Sequence, residues 1–184
     1  RTIERILARH GRTQRGPHHR SHGGGPPYPG PVAKQIGDLH QTDLVGPRHL
    51  RGPHGVTRFY SFHTVDVAGH TAATGQAPDK QAITLCRHLV QAWRSLGVPV
   101  ISQMDNEMAA TRGGRYPHSL SQVIRLHLLL GVHLLFIPQG EPGRNATVES
   151  FYGLWQERVL HRHSCPTLAH LRRVDRRFSL YYHY

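Results

Sequence analysis

Apolar positions along this chain change period several times, and each change predicts an element. Over residues 36–45 they alternate, with Leu39, Gln41, Asp43 and Val45 on one face and Ile36, Asp38, His40, Thr42 and Leu44 on the other. That is the period of a strand. Gly46-Pro47 through Gly55 reads as a turn-rich connection. Residues 58–67 and 70–77 repeat the strand pattern and join at Gly69. The period then lengthens. Ala82, Cys86, Leu89, Trp93 and Leu96 fall at helical spacing, which predicts a helix over 79–96 ended by Gly97. Val98–Met104 reads as a short buried strand. Residues 117–130 read as a second helix, with Pro117 in its first turn and Gly131 past its end. His133–Ile137 is a fifth strand stopped by Pro138, and Asn145 is placed to cap a helix running to about Leu160. Thr167 is placed to cap a last helix carrying Leu168, Leu171, Val174 and Phe178 on one face.

The order is three strands, helix, strand, helix, strand, helix, helix. It predicts an α/β architecture with a mixed five-stranded sheet flanked by helices: an antiparallel meander first, then parallel strands added through helical crossovers. This organisation occupies residues 35–184, which form one main domain in a chain of 184 residues. Ahead of it, residues 1–10 read as the tail of a helix stopped by Gly11. Residues 11–34, centred on Gly23-Gly24-Gly25-Pro26-Pro27, read as a flexible linker. Its histidines His18, His19 and His22 read as a polar part of that segment. No internal repeat is visible.

Charge changes this picture. The chain carries a formal net charge of +12. Residues 1–34 contribute +6 (seven basic, one acidic), residues 35–157 contribute +1 (ten and nine), and residues 158–184 contribute +5 (six and one). A nearly neutral core with basic ends points to a polyanion, and nucleic acid is the usual one. The two cysteines, Cys86 and Cys165, give neither a CxxC metal pair nor a disulfide framework, so the chain reads as intracellular. No apolar run approaches a membrane span, and no signal peptide is visible.

Against that background three acids stand out. Asp43 lies in Gln41-Thr42-Asp43-Leu44-Val45, Asp105 in Gln103-Met104-Asp105-Asn106, and Glu149 in Asn145-Ala146-Thr147-Val148-Glu149-Ser150-Phe151. Two end strand-like apolar runs, and the third opens a helix. Each alone has a bland reading: a solvent-facing strand residue, a strand end, a complement to the helix dipole. Together they would repel one another, and a divalent cation is the natural counter-charge. Asp66 reads as a hairpin residue, Asp38 lies on the opposite strand face, and Glu107 reads as exposed.

These motifs resemble the DDE integrase cores of retroviral integrases and bacterial insertion-sequence transposases, and look closest to the bacterial type. The resemblance covers about residues 35–184. It implies a ribonuclease H-like fold and two Mg²⁺ or Mn²⁺ ions held by Asp43, Asp105 and Glu149 as catalytic residues. It also implies DNA cleavage and strand transfer: water frees a 3′-hydroxyl, which then attacks target DNA. Transposon ends and target DNA would be the partners, with a homo-oligomer assembled on DNA in the bacterial cytoplasm at the nucleoid. Residues 1–10 resemble the tail of a helix-turn-helix domain, and Tyr181-Tyr182-His183-Tyr184 resembles the lead into a further Arg-Pro-His segment, as in a core truncated at its C-terminus. Other classes consistent with the motifs are a catalytically silent DNA-binding remnant and a plain nuclease of the same fold.

There are departures from the pattern. His40 stands where Trp is common, Glu107 where Gly is common, and Gln156 where a helix cation is common. Thirty-five residues separate Asp105 from Glu141, the retroviral spacing, against 43 to Glu149. Glu149 is preferred because Glu141 lies in a Gly140-Glu141-Pro142-Gly143 turn, whose side chain should point to water. Arg144, Asn145, Gln156 and Arg158 are the candidate DNA contacts. The stripe Val148, Tyr152, Trp155 and Val159 reads as core, and Gly153 shares the face of Glu149 and Gln156.

Overall fold

A computed structural model describes residues 30–53, 55–105, 120–138 and 141–183. The chain divides after Gly30, and residues 31–184 form one unit. The readings made for 1–10, for most of 11–34 and for Glu107 lie outside the described residues.

Three antiparallel strands come first: β1 (Leu39–Gly52), β2 (Gly55–Asp66) and β3 (Ala72–Ala77). Helix α1 (Ala82–Leu96) leads to β4 (Ile101–Met104), and α2 (Gln122–Leu130) leads to β5 (His133–Phe136). A 3₁₀ turn (Pro142–Asn145) runs into α3 (Ala146–Trp155), which continues as a π-helical segment (Gln156–His161) before α4 (Leu168–Tyr182). The sheet order is β3-β2-β1-β4-β5, with β1–β4 and β4–β5 parallel. The mixed sheet expected from the element order is what forms.

Alternation assigns the two faces. Phe59 and Val65 of β2 pack with Val148, Phe151, Trp155 and Val159 and with Leu171 and Val174 of α4. Tyr60 and Phe62, one residue out of phase, pack with Leu85, Leu89 and Trp93 of α1, Met104 of β4 and Val123 of α2. Two helices therefore cover each face, and β1, in the middle, is the strand on which both cores rest. Caps follow the expected chemistry at α2 and α4: Ser121 accepts from the Ile124 N–H and Thr167 from the His170 N–H.

One expectation fails in an informative way. Residues 46–55 are not a long turn, because β1 runs on to Gly52 and pairs with β2 throughout. Gly46-Pro47 instead makes a β-bulge, with the register shifting between Val45, opposite Ser61, and Arg48, opposite Phe59. Gly46 has φ 145° and lies against Tyr60, so a side chain there would meet both strain and a ring. The bulge inserts one residue and reverses the alternation beyond it. Leu50, an even position, thus packs into the core that the odd positions of β2 face.

Buried histidines add a pH dependence. His63 lies opposite Asp43, wholly enclosed by Phe151, Tyr152 and Trp155, and neither ring nitrogen has a hydrogen-bond partner. Burial pushes its pKa down to about 3. His88, bonded to Thr64 and stacked on Phe62, is pushed by burial to about 4. Both stay neutral in the fold, while the unfolded chain takes up protons below about 6.5. Stability is therefore full above that pH and lost as the pH falls, by about 2 kcal/mol for each histidine at pH 5. Urea denaturation should show the loss beginning near pH 6.5, with His63→Leu flattening it. A profile flat from pH 7 to 5 would contradict this account.

Candidate active site

The parallel pairing of β1 with β4 aligns Gln41 with Gln103 and Thr42 with Met104. One step further brings Asp43 level with Asp105. Both lie on the face covered by α3, since Met104 and Thr42 turn to the other side. Asp43 is half-buried, whereas Asp105 and Glu149 are exposed.

Glu149 is placed by a clamp that the sequence did not announce. The side-chain amides of Gln41 and Gln103 both donate to the carbonyl oxygen of Arg144, each at 2.7 Å. The Oε1 of Gln41 accepts from the Val148 N–H at 3.3 Å. Two adjacent strands thus bind the start of α3 and satisfy a backbone group that a helix end leaves open. Asn145, expected to cap this helix, makes no side-chain cap bond. It is buried, and its Oδ1 has no partner. A strand glutamine does the capping instead, at the N–H of the residue just before Glu149.

Electrostatics links the three acids. Burial raises the pKa of Asp43 above the usual carboxylate value; the Leu44 N–H opposes this, and the charges of Glu149 and Asp105 push it further up. The Glu141 carboxylate, expected to point to water, is instead paired with the Arg144 guanidinium. Oxygen-only carboxylates are the donor set suited to Mg²⁺ or Mn²⁺. Among the described residues no three His, Cys, Asp or Glu side chains are gathered tightly enough to hold an ion as they stand. Asp43, Asp105 and Glu149 are the residues that could serve as ligands, Asp43 half-buried and the other two exposed.

The remaining predicted residues fall in different places. Arg144 serves the clamp with its carbonyl and pairs with Glu141 by its side chain. Gln156 faces a groove beside β1, and Arg158 lines a second groove with Arg162, Arg177 and Tyr181 on the other side of the helix. Val148, Trp155 and Val159 are core, as expected. Gly153 has no neighbour that a side chain would meet, so it is not a tight helix contact. Asp66 is indeed a hairpin residue, wholly buried, accepting from Gly69 and Gly37 N–H groups and lying 3.2 Å from His40. The sequence reading missed Gln41, Gln103 and Arg48. The two glutamines carried a signal, being polar residues on the inward face of strands, two positions before each aspartate.

No family model and no curated protein matches the sequence. Solved structures do match it. A chain of the simian T-cell lymphotropic virus intasome in complex with PP2A regulatory subunit B56 gamma superposes with TM-score 0.60 at 14% identity, over 79% of this chain and 50% of that one. The HTLV-2 integrase catalytic core domain in complex with magnesium gives 0.55 at 15% identity, covering 78% and 85%. The fold is that of an integrase catalytic core. The BIV integrase catalytic core domain agrees, with TM-score 0.51 at 15% identity over 75% and 80%. This integrase-like chain spans half the length of the intasome chain that it matches.

Two outcomes follow for this integrase-like core. Because the folded pKa of Asp43 is raised, its ionisation opposes folding: stability is greatest below its ordinary pKa and declines as the pH rises through the raised value. Glu149→Gln should therefore stabilise the chain at pH 7, by on the order of 0.5–1 kcal/mol, and not at pH 3. Equal effects at both pH values would show that Glu149 does not act through charge. Gln41→Leu should cost about 1–3 kcal/mol by leaving the Val148 N–H without its partner and should speed amide exchange at Val148. Unchanged exchange there would remove the clamp.

Proposed function

We propose that this chain is the catalytic core of a DNA strand-transferring enzyme, a transposase or integrase of the bacterial insertion-sequence type. The observation that carries this is the shared edge: Asp43 of β1 and Asp105, the residue after β4, each come one step beyond the Thr42–Met104 pair, and Gln41 and Gln103 tie the helix of Glu149 to the same edge. The likeness of fold to integrase cores supports the reaction class, and the magnesium bound by the HTLV-2 domain supports the cofactor. Asp43, Asp105 and Glu149 would hold one or two divalent ions. When bound, these supply the charge that promotes attack at phosphorus and stabilises the leaving oxygen. The chain's own part is to fix the three carboxylates. Half-burial of Asp43 on a central strand sets one corner, the register with β4 sets the second, and the glutamine clamp sets the third. Hydrolysis would release a 3′-hydroxyl, and that oxygen would then displace a 3′-oxygen of a target strand by forming a new phosphodiester.

Asp43→Asn, Asp105→Asn and Glu149→Gln should each reduce Mg²⁺-dependent plasmid nicking and oligonucleotide strand transfer to background, with DNA binding nearly intact. Glu141→Gln should keep activity; its loss alone would move the third ligand to Glu141. A second reading, a silent DNA-binding remnant, is favoured by the absence, among the described residues, of three side chains gathered to hold an ion. It is the correct one if the unmutated protein binds DNA without metal-dependent cleavage and without any rise in melting temperature on adding Mg²⁺ or Mn²⁺.

A further inference from the structure

Beyond the bulge in β1 lies a cation with no counter-charge. Arg48 is half-buried between β1 and α3. Its Nη2 donates to the Tyr152 hydroxyl at 2.6 Å and to Gln156 Oε1 at 3.4 Å, and its guanidinium lies 6.0 Å from the Tyr152 ring centre. Both partners are neutral, and no carboxylate pairs with Arg48 among the described residues. A guanidinium held this way, partly out of water, favours an anion. It opens on a groove of about 500 Å³ lined also by Arg51, Gln156, His161 and His163, with no acidic side chain in its wall.

The groove lies on the acid side of the sheet. In an unbroken strand Arg48, five residues after Asp43, would face the opposite side. The bulge at Gly46-Pro47 reverses the alternation and turns it back. Along α3, Gln156 stands seven residues from Glu149, about 10 Å, and between them Gly153 is exposed and bare. We propose that this groove is a phosphodiester-binding subsite that carries the backbone of the substrate strand away from the three carboxylates, with Arg48 as its anchor. This rests on the strand-transfer reading. Gln156 on the helix is neutral, and Arg48 brings a cation beside it from the neighbouring strand.

The test is fluorescence anisotropy of a labelled 20-nucleotide single strand with the full chain, in EDTA so that no cleavage occurs. Arg48→Gln should weaken binding roughly fivefold near 0.1 M salt and lower the slope of log affinity against log salt by about 0.7, one phosphate contact on a single strand. Arg125→Gln, which removes the same charge from α2 on the other face of the sheet, should leave both nearly unchanged. Arg48→Lys should recover part of the loss. In the unmutated protein, DNA should shift the Arg48 side-chain and His161 ring resonances, a readout that does not depend on any variant folding. If the unmutated chain binds DNA but Arg48→Gln and Arg125→Gln behave alike and no Arg48 shift occurs, the subsite is wrong and the strand-transfer reading stands. If inorganic phosphate at matched ionic strength displaces the DNA, the groove is a small-anion site and the inference is overturned. Absence of any DNA binding overturns both.

Discussion

The parallel pairing of β1 with β4 is the constraint on which the site depends. It is short, running from Leu39–Ile101 to Thr42–Met104, and extends through bonds from Val100 and Ile101 N–H groups to Gly37 and Asp38. Side chains in adjacent parallel strands stand level on the same face. The register that stacks Gln41 beside Gln103 must therefore bring Asp43 beside Asp105. A slip of one residue would turn one aspartate to the α1 face and separate the pair. The glutamines make the arrangement self-consistent. Buried amides need partners, and the open backbone groups at the start of α3 supply them. The same bonds fix the helix that carries Glu149.

Charge is sorted along this surface in a way that follows from the backbone. Three carboxylates sit at the sheet edge, where burial and mutual repulsion make the anionic form of Asp43 costly. The cation Arg48 lines the next stretch of the same face, with His161 and His163 across the groove. One β-bulge separates the two zones. It re-aims Arg48 by shifting the strand's alternation, so a single inserted residue places a positive groove next to a negative edge. The proposed transfer at a phosphodiester would call for that juxtaposition: a place to gather cations at the reacting phosphorus, and a place to hold the neighbouring anionic backbone.

Much of this was legible in the sequence. Among the described residues, period changes located five strands and four helices, most cleanly where α1 and α4 show helical stripes. Asp43 and Glu149 stood out as candidates because their local settings are unusual for acids. The limits were equally physical. Gly46-Pro47 read as a turn, since glycine and proline favour turns and bulges alike, and only the pairing partner distinguishes them. That one ambiguity hid Arg48, whose face inverts across the bulge. Asn145 looked like a cap by residue type, but a cap is a hydrogen bond, and Gln41, 104 residues earlier in the chain, makes it instead. Long-range polar contacts of this kind leave no period in the sequence.

The central claim is that Asp43, Asp105 and Glu149 form one cation site at the edge set by β1 and β4. Paramagnetic Mn²⁺ titrated into isotope-labelled protein reads this directly, because line broadening falls steeply with distance from the ion. Low Mn²⁺ should broaden the side-chain amide signals of Gln41 and Gln103 and the backbone signals of Asp43 and Val148 first, and Asp43→Asn should remove this broadening. Broadening confined to the histidine-rich segment around His18 and His22, or broadening at Gln41 and Gln103 that persists in Asp43→Asn, would contradict it.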